Sequence, residues 1–196
     1  MTKLRIVALA VFSASLIGCG ATMDHEHHMA STMGSGMKSD PMFTAEMIPH
    51  HQAAIDMSAL AVSRAEHPQI KELAANISAA QSSEIQLMKR VGKQNGWDPN
   101  AKMDHSGMSG MSDHEMGMDM DPNDLKTAKP FDKAFIEMMV PHHQGAIRMA
   151  NHELSRGSDP QIRSLANSII KSQSAQIKQM QQWYLAWYGK PVPAND

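Results

Sequence analysis

One segment of the chain occurs twice, and this duplication constrains the architecture more than any other feature. MIPHHQAAIDM at 47–57 aligns with MVPHHQGAIRM at 139–149, an offset of 92 residues. Roughly 20 of the 42 positions from Met47 to Met88 are identical to their mates. The matches include Pro49 with Pro141, His50-His51-Gln52 with His142-His143-Gln144, Pro68-Gln69-Ile70 with Pro160-Gln161-Ile162, and Met88 with Met180. A fold for this chain must therefore house two copies of one unit.

Each copy has the spacing of a helical hairpin. Phe43, Met47, Ala54, Ile55, Ala61 and Val62 recur at helical intervals, as do Phe131, Phe135, Met138, Ala146, Ile147, Ala150 and Leu154. Breaks follow at Glu66-His67-Pro68 and Gly157-Ser158-Asp159-Pro160, where proline suits the first position of a new helix and Ser158 or Asp159 can cap it. The second helices run through Ile70, Leu73, Ile77, Ile85 and Met88, and through Ile162, Leu165, Ile169, Ile177 and Met180. Two hairpins, at 43–96 and 131–189, predict an all-α four-helix bundle with a long middle crossover. Pro49 and Pro141 fall inside the first helix of each copy, where each removes an amide donor and predicts a kink.

The remaining segments differ sharply in composition. Residues 1–18 hold a basic start at Lys3 and Arg5 and an apolar run from Ile6 to Ile17, too short to span a bilayer and suited to a secretory signal. Leu16-Ile17-Gly18-Cys19 resembles a bacterial lipobox, so Cys19 is the expected site of lipidation; an ordinary signal peptide with an incidental cysteine is the alternative. That one cysteine excludes an intrachain disulfide and a multi-cysteine zinc site. An arm at 19–42 and a linker at 97–130 are rich in Gly, Ser, Asp, His and Met, and residues 20–42 and 98–124 lack any branched aliphatic side chain. Both segments are predicted to be mobile and unable to bury a core. With a net charge of −2 the chain offers no basic field for nucleic acid.

Nineteen methionines and eleven histidines in 196 residues call for a reason beyond packing. On a helix, Met47 shares a face with His50 and His51, three and four residues on, and Met139 relates in the same way to His142 and His143, with Met138 beside it. Met57 and Met149 stand seven residues beyond His50 and His142, a rise of ~10.5 Å that disfavours chelation of one ion by both side chains; these two methionines read equally well as core. In antiparallel hairpins that turn near residues 67 and 159, Met88 faces Met47 and Glu84 faces His51, while Met180 faces Met139 and Gln176 faces His143. Two sites are expected, each within one hairpin, rather than one central di-metal site. Thioether with imidazole is a soft to borderline donor set that favours copper, above all Cu(I), with Cu(II) accessible through histidine. The linker adds Met103, His105, Met108, Met111, His114, Met116, Met118 and Met120, and the arm adds His25, His27, His28 and Met29. Where there is no core to pack, these side chains read as exchangeable ligands, or else as a Met-rich surface for a protein partner. The aromatic end, Trp183, Tyr184, Trp187 and Tyr188, reads as a core cap.

No helix carries the Glu-x-x-His spacing of di-iron bundles, and neither a Ser-His-Asp arrangement nor a phosphate-binding loop is evident, so no catalytic residue is assigned. The string Phe-x-x-x-Met-x-x-His-His-Gln-x-Ala-Ile-x-Met, at 43–57 and 135–149, with Gln-x-x-x-Ile-x-x-Met at Gln81, Ile85, Met88 and Gln173, Ile177, Met180, resembles the domain of unknown function 305 family over residues 39–189. That resemblance implies a ferritin-like helical bundle in exported bacterial proteins, some of them linked to copper. The chain is thus expected to be a non-enzymatic, lipid-anchored copper binder on the periplasmic side of the envelope. Such a protein would sequester or deliver the ion in copper tolerance and could meet a copper transporter or chaperone. An interaction module and a cuprous oxidase are the rival readings.

Overall fold

The structure, a computed structural model, describes residues 39–98 and 111–194. Four long helices dominate it: α1 (Ser39–Arg64), α2 (Pro68–Asn95), α4 (Phe131–Arg156) and α5 (Pro160–Tyr188). Between the pairs lie a single helical turn, α3 (Asp113–Met116), and a 3-10 turn at Pro122–Lys126. The chain is an all-α bundle of two hairpins, as the duplication predicts. Helices α1 and α4 begin and end 92 residues apart, so the repeat extends to the helix boundaries. Among the described residues no helix is long and apolar enough to cross a membrane.

Local chemistry sets the helix ends. Pro68 and Pro160 open α2 and α5, where a missing amide donor costs nothing. Asp159 caps α5 by accepting from the amides of Gln161 and Ile162. Both α1 and α4 continue as helix through Pro49 and Pro141. Helix α1 starts at Ser39 rather than near residue 43, so the last four residues of the expected arm belong to the bundle. Val62, expected in the core, is 48% exposed, because Ala61 rather than Val62 turns inward at that level.

The hairpins meet through α1 and α4, while α2 and α5 lie outside and touch each other little. Two carboxylates fix this meeting. Asp132, in the first turn of α4, accepts from the backbone amides of Glu66 (3.0 Å) and His67 (2.8 Å) and from His67 Nδ1 (2.6 Å), all in the turn of the first hairpin. Asp40, in the first turn of α1, accepts from the amides of Ser158 (2.9 Å) and Asp159 (2.8 Å) in the turn of the second hairpin. The two locks are related by the 92-residue offset, and they make α1 and α4 antiparallel neighbours. Tyr184 is fully buried and donates to Glu137, and His67 stacks on Trp187 at 3.7 Å, so the aromatic end caps the core as expected.

The second lock carries an extra acid. Glu153, fully buried, accepts from the Ser39 hydroxyl at 2.6 Å and lies beside Asp40. Burial first, and then the neighbouring Asp40 carboxylate, push its carboxyl up to about 8, against the opposing effect of Ser39.

Part of the linker is ordered, contrary to expectation. Ser112 and Glu115 form a reciprocal capping box on α3, and Met116 and Leu125 are both fully buried. Composition failed here because one apolar side chain per turn suffices to seat a short segment on an existing bundle.

Two predictions follow from the locks. Asp132→Ala should lower unfolding stability by about 3 kcal/mol in urea titrations, since it removes the charged acceptor of two backbone amides and of His67 Nδ1. Glu153→Gln tests the extra acid. A carboxyl raised from 4.5 to about 8 stabilises the fold fully below pH 4.5, and that contribution fades as pH rises to about 8. The urea midpoint of the parent should fall over this window relative to that of Glu153→Gln; parallel pH profiles would contradict the assignment.

Candidate metal centre

The antiparallel crossing of α1 and α4 brings the two His-His motifs together at the middle of the bundle. His50 and His142 lie with ring centroids 3.7 Å apart, and His51 and His143 lie 6.2 Å from their neighbours. All four rings are buried, none more than 1% exposed. The expected register within each hairpin is present: His51 Nε2 meets Glu84 at 2.6 Å, and His143 Nε2 donates to the Gln176 amide oxygen at 2.7 Å.

These partners decide which ring nitrogen keeps its lone pair. His50 Nε2 donates to the backbone carbonyl of His142 at 3.2 Å, so its lone pair is on Nδ1. The Nδ1 atoms of His51 and His143 are buried and have no hydrogen-bond partner, whereas the rings of His50 and His142 make no further well-formed hydrogen bond but lie against the backbone of Met116 and of His50 respectively. Burial, reinforced by the neighbouring histidines, holds His50 and His142 well below the usual imidazole range. Burial likewise takes His143 down to about 4. These three rings are neutral at pH 7, the form that ligates metals.

Thioethers flank the histidines on both sides. Met47, Met88 and Met149 belong to one buried cluster together with Met116, and Met57, Met139 and Met180 belong to another. Met138 is half-buried against the second. Met47 and Met88 share one cluster and Met139 and Met180 the other, as the register within each hairpin requires; each cluster also takes in a methionine of the other copy, Met149 and Met57, and His50 lies against His142 across the two hairpins. Spacing along one hairpin carries no information about how a second hairpin crosses it. Met57 and Met149 are fully buried core residues, whatever else they do. Among the described residues no three His, Cys, Asp or Glu side chains form a ready-made metal cage, so an ion held here needs thioether donors as well.

Of the linker residues, Met111 and Met118 pack half-buried against the first cluster, Met120 is half-buried, and His114 pairs with Asp119 at 2.8 Å. Met103, His105, Met108, His25, His27, His28, Met29 and Cys19 lie outside the described residues. The reading of the sequence missed Asp40 and Asp132, although they stand at matched positions in the two copies. It also gave no structural weight to Gln81 and Gln173, which are buried with both amide atoms unpartnered.

Comparison with known proteins adds four findings. The family model described as domain of unknown function (DUF305) matches residues 40–184. The structure of CopM in the Cu(I)-bound form is 42% identical, with a TM-score of 0.66, over 76% of this chain and 98% of that one. A DUF305 protein from Streptomyces coelicolor, 24% identical, shares the fold with a TM-score of 0.70, over 80% of this chain and 96% of that one. Among curated sequences, uncharacterized protein L153 of Acanthamoeba polyphaga mimivirus is 43% identical over 49 residues, 25% of this chain and 32% of that relative.

Removing a buried imidazole whose nitrogens make no well-formed hydrogen bond relieves a larger desolvation penalty than the bonding it gives up. Metal-free His142→Leu should therefore melt at or above the parent temperature, whereas His143→Leu, which strands Gln176, should melt below it. The acid profile has a definite sign. His143, lowered from 6.5 to about 4, lends stability above pH 6.5 that is lost as pH falls toward 4, and His50 and His142 act in the same direction. His50→Leu/His142→Leu should retain more of its stability at pH 5 than the parent, as read by calorimetry.

Proposed function

The chain belongs to the domain of unknown function 305 family, and from that premise we propose that it binds copper in the cell envelope and holds down the free ion there. The observation that carries this reading is the pair of buried, unpartnered Nδ1 atoms on His51 and His143, each with its Nε2 engaged by a side chain of its own hairpin, beside the His50–His142 ring pair. An acceptor on one ring nitrogen and a bare lone pair on the other is how proteins orient metal-ligating imidazoles. Buried thioethers on either side match the soft Cu(I) ion best, and the imidazoles extend the range to Cu(II). Support also comes from CopM, which has been solved in Cu(I)-bound and Cu(II)-bound forms and is 42% and 44% identical to this chain.

The protein stores or passes on the ion without turning over a substrate: no histidine of the centre is more than 1% exposed, which gives an organic reactant no access. The leader ending at Cys19 supports a lipid anchor facing the envelope, where a copper transporter or chaperone is the natural partner. Met and His remain competent ligands in that oxidising compartment.

Anaerobic titration of the exported protein with Cu(I) against a chromophoric chelator should yield several bound ions. His50→Leu/His142→Leu should lose bundle ions, whereas replacing Met103, His105 and Met108 by Ser should lose others and leave the bundle ions in place. Identical stoichiometry in all three proteins would overturn the reading.

A further inference from the structure

The repeat is exact at the histidines and inexact at the side chains that hold two of them. Pro-His-His-Gln is identical at 49–52 and 141–144, and on the facing helices Gln81, Ser82, Ile85 and Met88 stand against Gln173, Ser174, Ile177 and Met180. Within this matched stretch the residue that touches the second histidine of each motif differs: Glu84 in the first copy, Gln176 in the second, 92 positions apart. Everything else about the two contacts is alike. His51 Nε2 meets Glu84 at 2.6 Å and His143 Nε2 meets Gln176 Oε1 at 2.7 Å, both rings are fully buried, and both Nδ1 atoms are without a partner. Glutamate and glutamine have nearly the same shape, so the two halves of the centre differ here by one negative charge.

That charge acts on an ion in two ways. A carboxylate oxygen and an amide oxygen both accept the Nε2 proton and so leave the lone pair on Nδ1, but the carboxylate draws the proton more strongly and makes Nδ1 the more basic donor. The charge also reaches the ion itself. Attraction to a carboxylate is proportional to the charge of the ion, while the cost of stripping water from an ion grows with the square of that charge. A divalent ion in this interior therefore needs a compensating anion more than a monovalent one does, and the neutral imidazoles and thioethers supply none. The Glu84 side chain is 17% exposed and the His51 ring not at all, so the carboxylate stands at the solvent edge behind a ring that faces the interior.

We propose that Glu84 determines the charge specificity of the histidine centre: ligation through His51, backed by the Glu84 carboxylate, favours a divalent ion, whereas ligation through His143, backed by the neutral Gln176 amide, favours a monovalent one. This rests on the copper-binding reading and adds to it that the two halves of the centre are unequal, His51 suited to Cu(II) and His143 to Cu(I). Glu84 acts through the imidazole, as a positioning residue, and is not itself a ligand. A bond that merely held the ring in place would be served by glutamine in both copies, since Gln176 gives His143 the same distance and the same burial.

The test is NMR of the full-length exported protein with isotope-labelled histidine rings, titrated separately with Zn(II) and Ag(I), diamagnetic ions of the two charges. The signals of His51 and His143 are assigned by their loss in His51→Leu and His143→Leu. In the parent, the His51 ring should respond to Zn(II) at lower concentration than the His143 ring. Glu84→Gln should weaken Zn(II) at His51 by about tenfold. It should weaken Ag(I) there by only about threefold, because the electrostatic loss halves with the charge of the ion. Gln176→Glu should strengthen Zn(II) at His143 by about tenfold; where it costs the bundle its fold, the isosteric Glu84→Gln decides alone. If Glu84→Gln weakens both ions equally or neither, if a folded Gln176→Glu leaves Zn(II) binding unchanged, or if the rings of the parent respond to Ag(I) and not to Zn(II), the proposal is wrong and the copper reading stands. If neither ring responds to either ion, both fall.

Discussion

Everything in this bundle depends on how the two matched helices of the repeat cross. Helices α1 and α4 are held antiparallel because the carboxylate in the first turn of each accepts amide protons from the turn of the opposite hairpin, Asp132 at Glu66 and His67, Asp40 at Ser158 and Asp159. A buried carboxylate with several N–H donors is well solvated by protein, so each lock offsets its own desolvation and fixes the hairpins along the helix axes. With both ends fixed, the midpoints must meet, and the midpoints are His50 and His142. The central imidazole pair is thus a consequence of contacts at the two ends of the helices.

Placing four imidazoles at such a crossing has a cost that apolar residues would avoid. Several of their nitrogens are buried without partners, as are the amides of Gln81 and Gln173. Native cores rarely leave so many polar atoms unsatisfied, and where they do, a ligand or a function is the usual reason. The same burial that strands these atoms keeps His50, His142 and His143 neutral, so their lone pairs are not occupied by protons at pH 7. Desolvation makes the centre unstable as packing and suitable as chemistry.

The two halves have diverged at the positions where the symmetry is useful to break. Gly145 stands against Ala53, Arg148 against Asp56, and Glu153 against Ala61. The first two differences let α3 pack on α4, where a Cβ at position 145 would lie 1.9 Å from the Met116 carbonyl oxygen and Arg148 donates to the Glu115 carbonyl, and the third adds a proton-carrying acid to one lock and not the other. The pseudo-symmetric frame supplies two clusters, and these local differences make them unequal.

The fold was largely legible in the sequence, for physical reasons that act over short range. Helical periodicity, proline at the start of α2 and α5, Asp159 as a cap and the antiparallel register that pairs His51 with Glu84 and His143 with Gln176 all follow from residues near one another along a hairpin. The donor types were legible too, since thioether and imidazole chemistry does not depend on the fold. Composition misjudged the linker, because a single Met116 or Leu125 can dock where an average over 30 residues shows only polar character. Which histidine meets which, and that Met149 joins Met47 while Met57 joins Met139, was decided only in three dimensions. Those pairings arise between segments separated by the full repeat length, and no spacing within one helix or one hairpin encodes the crossing of two.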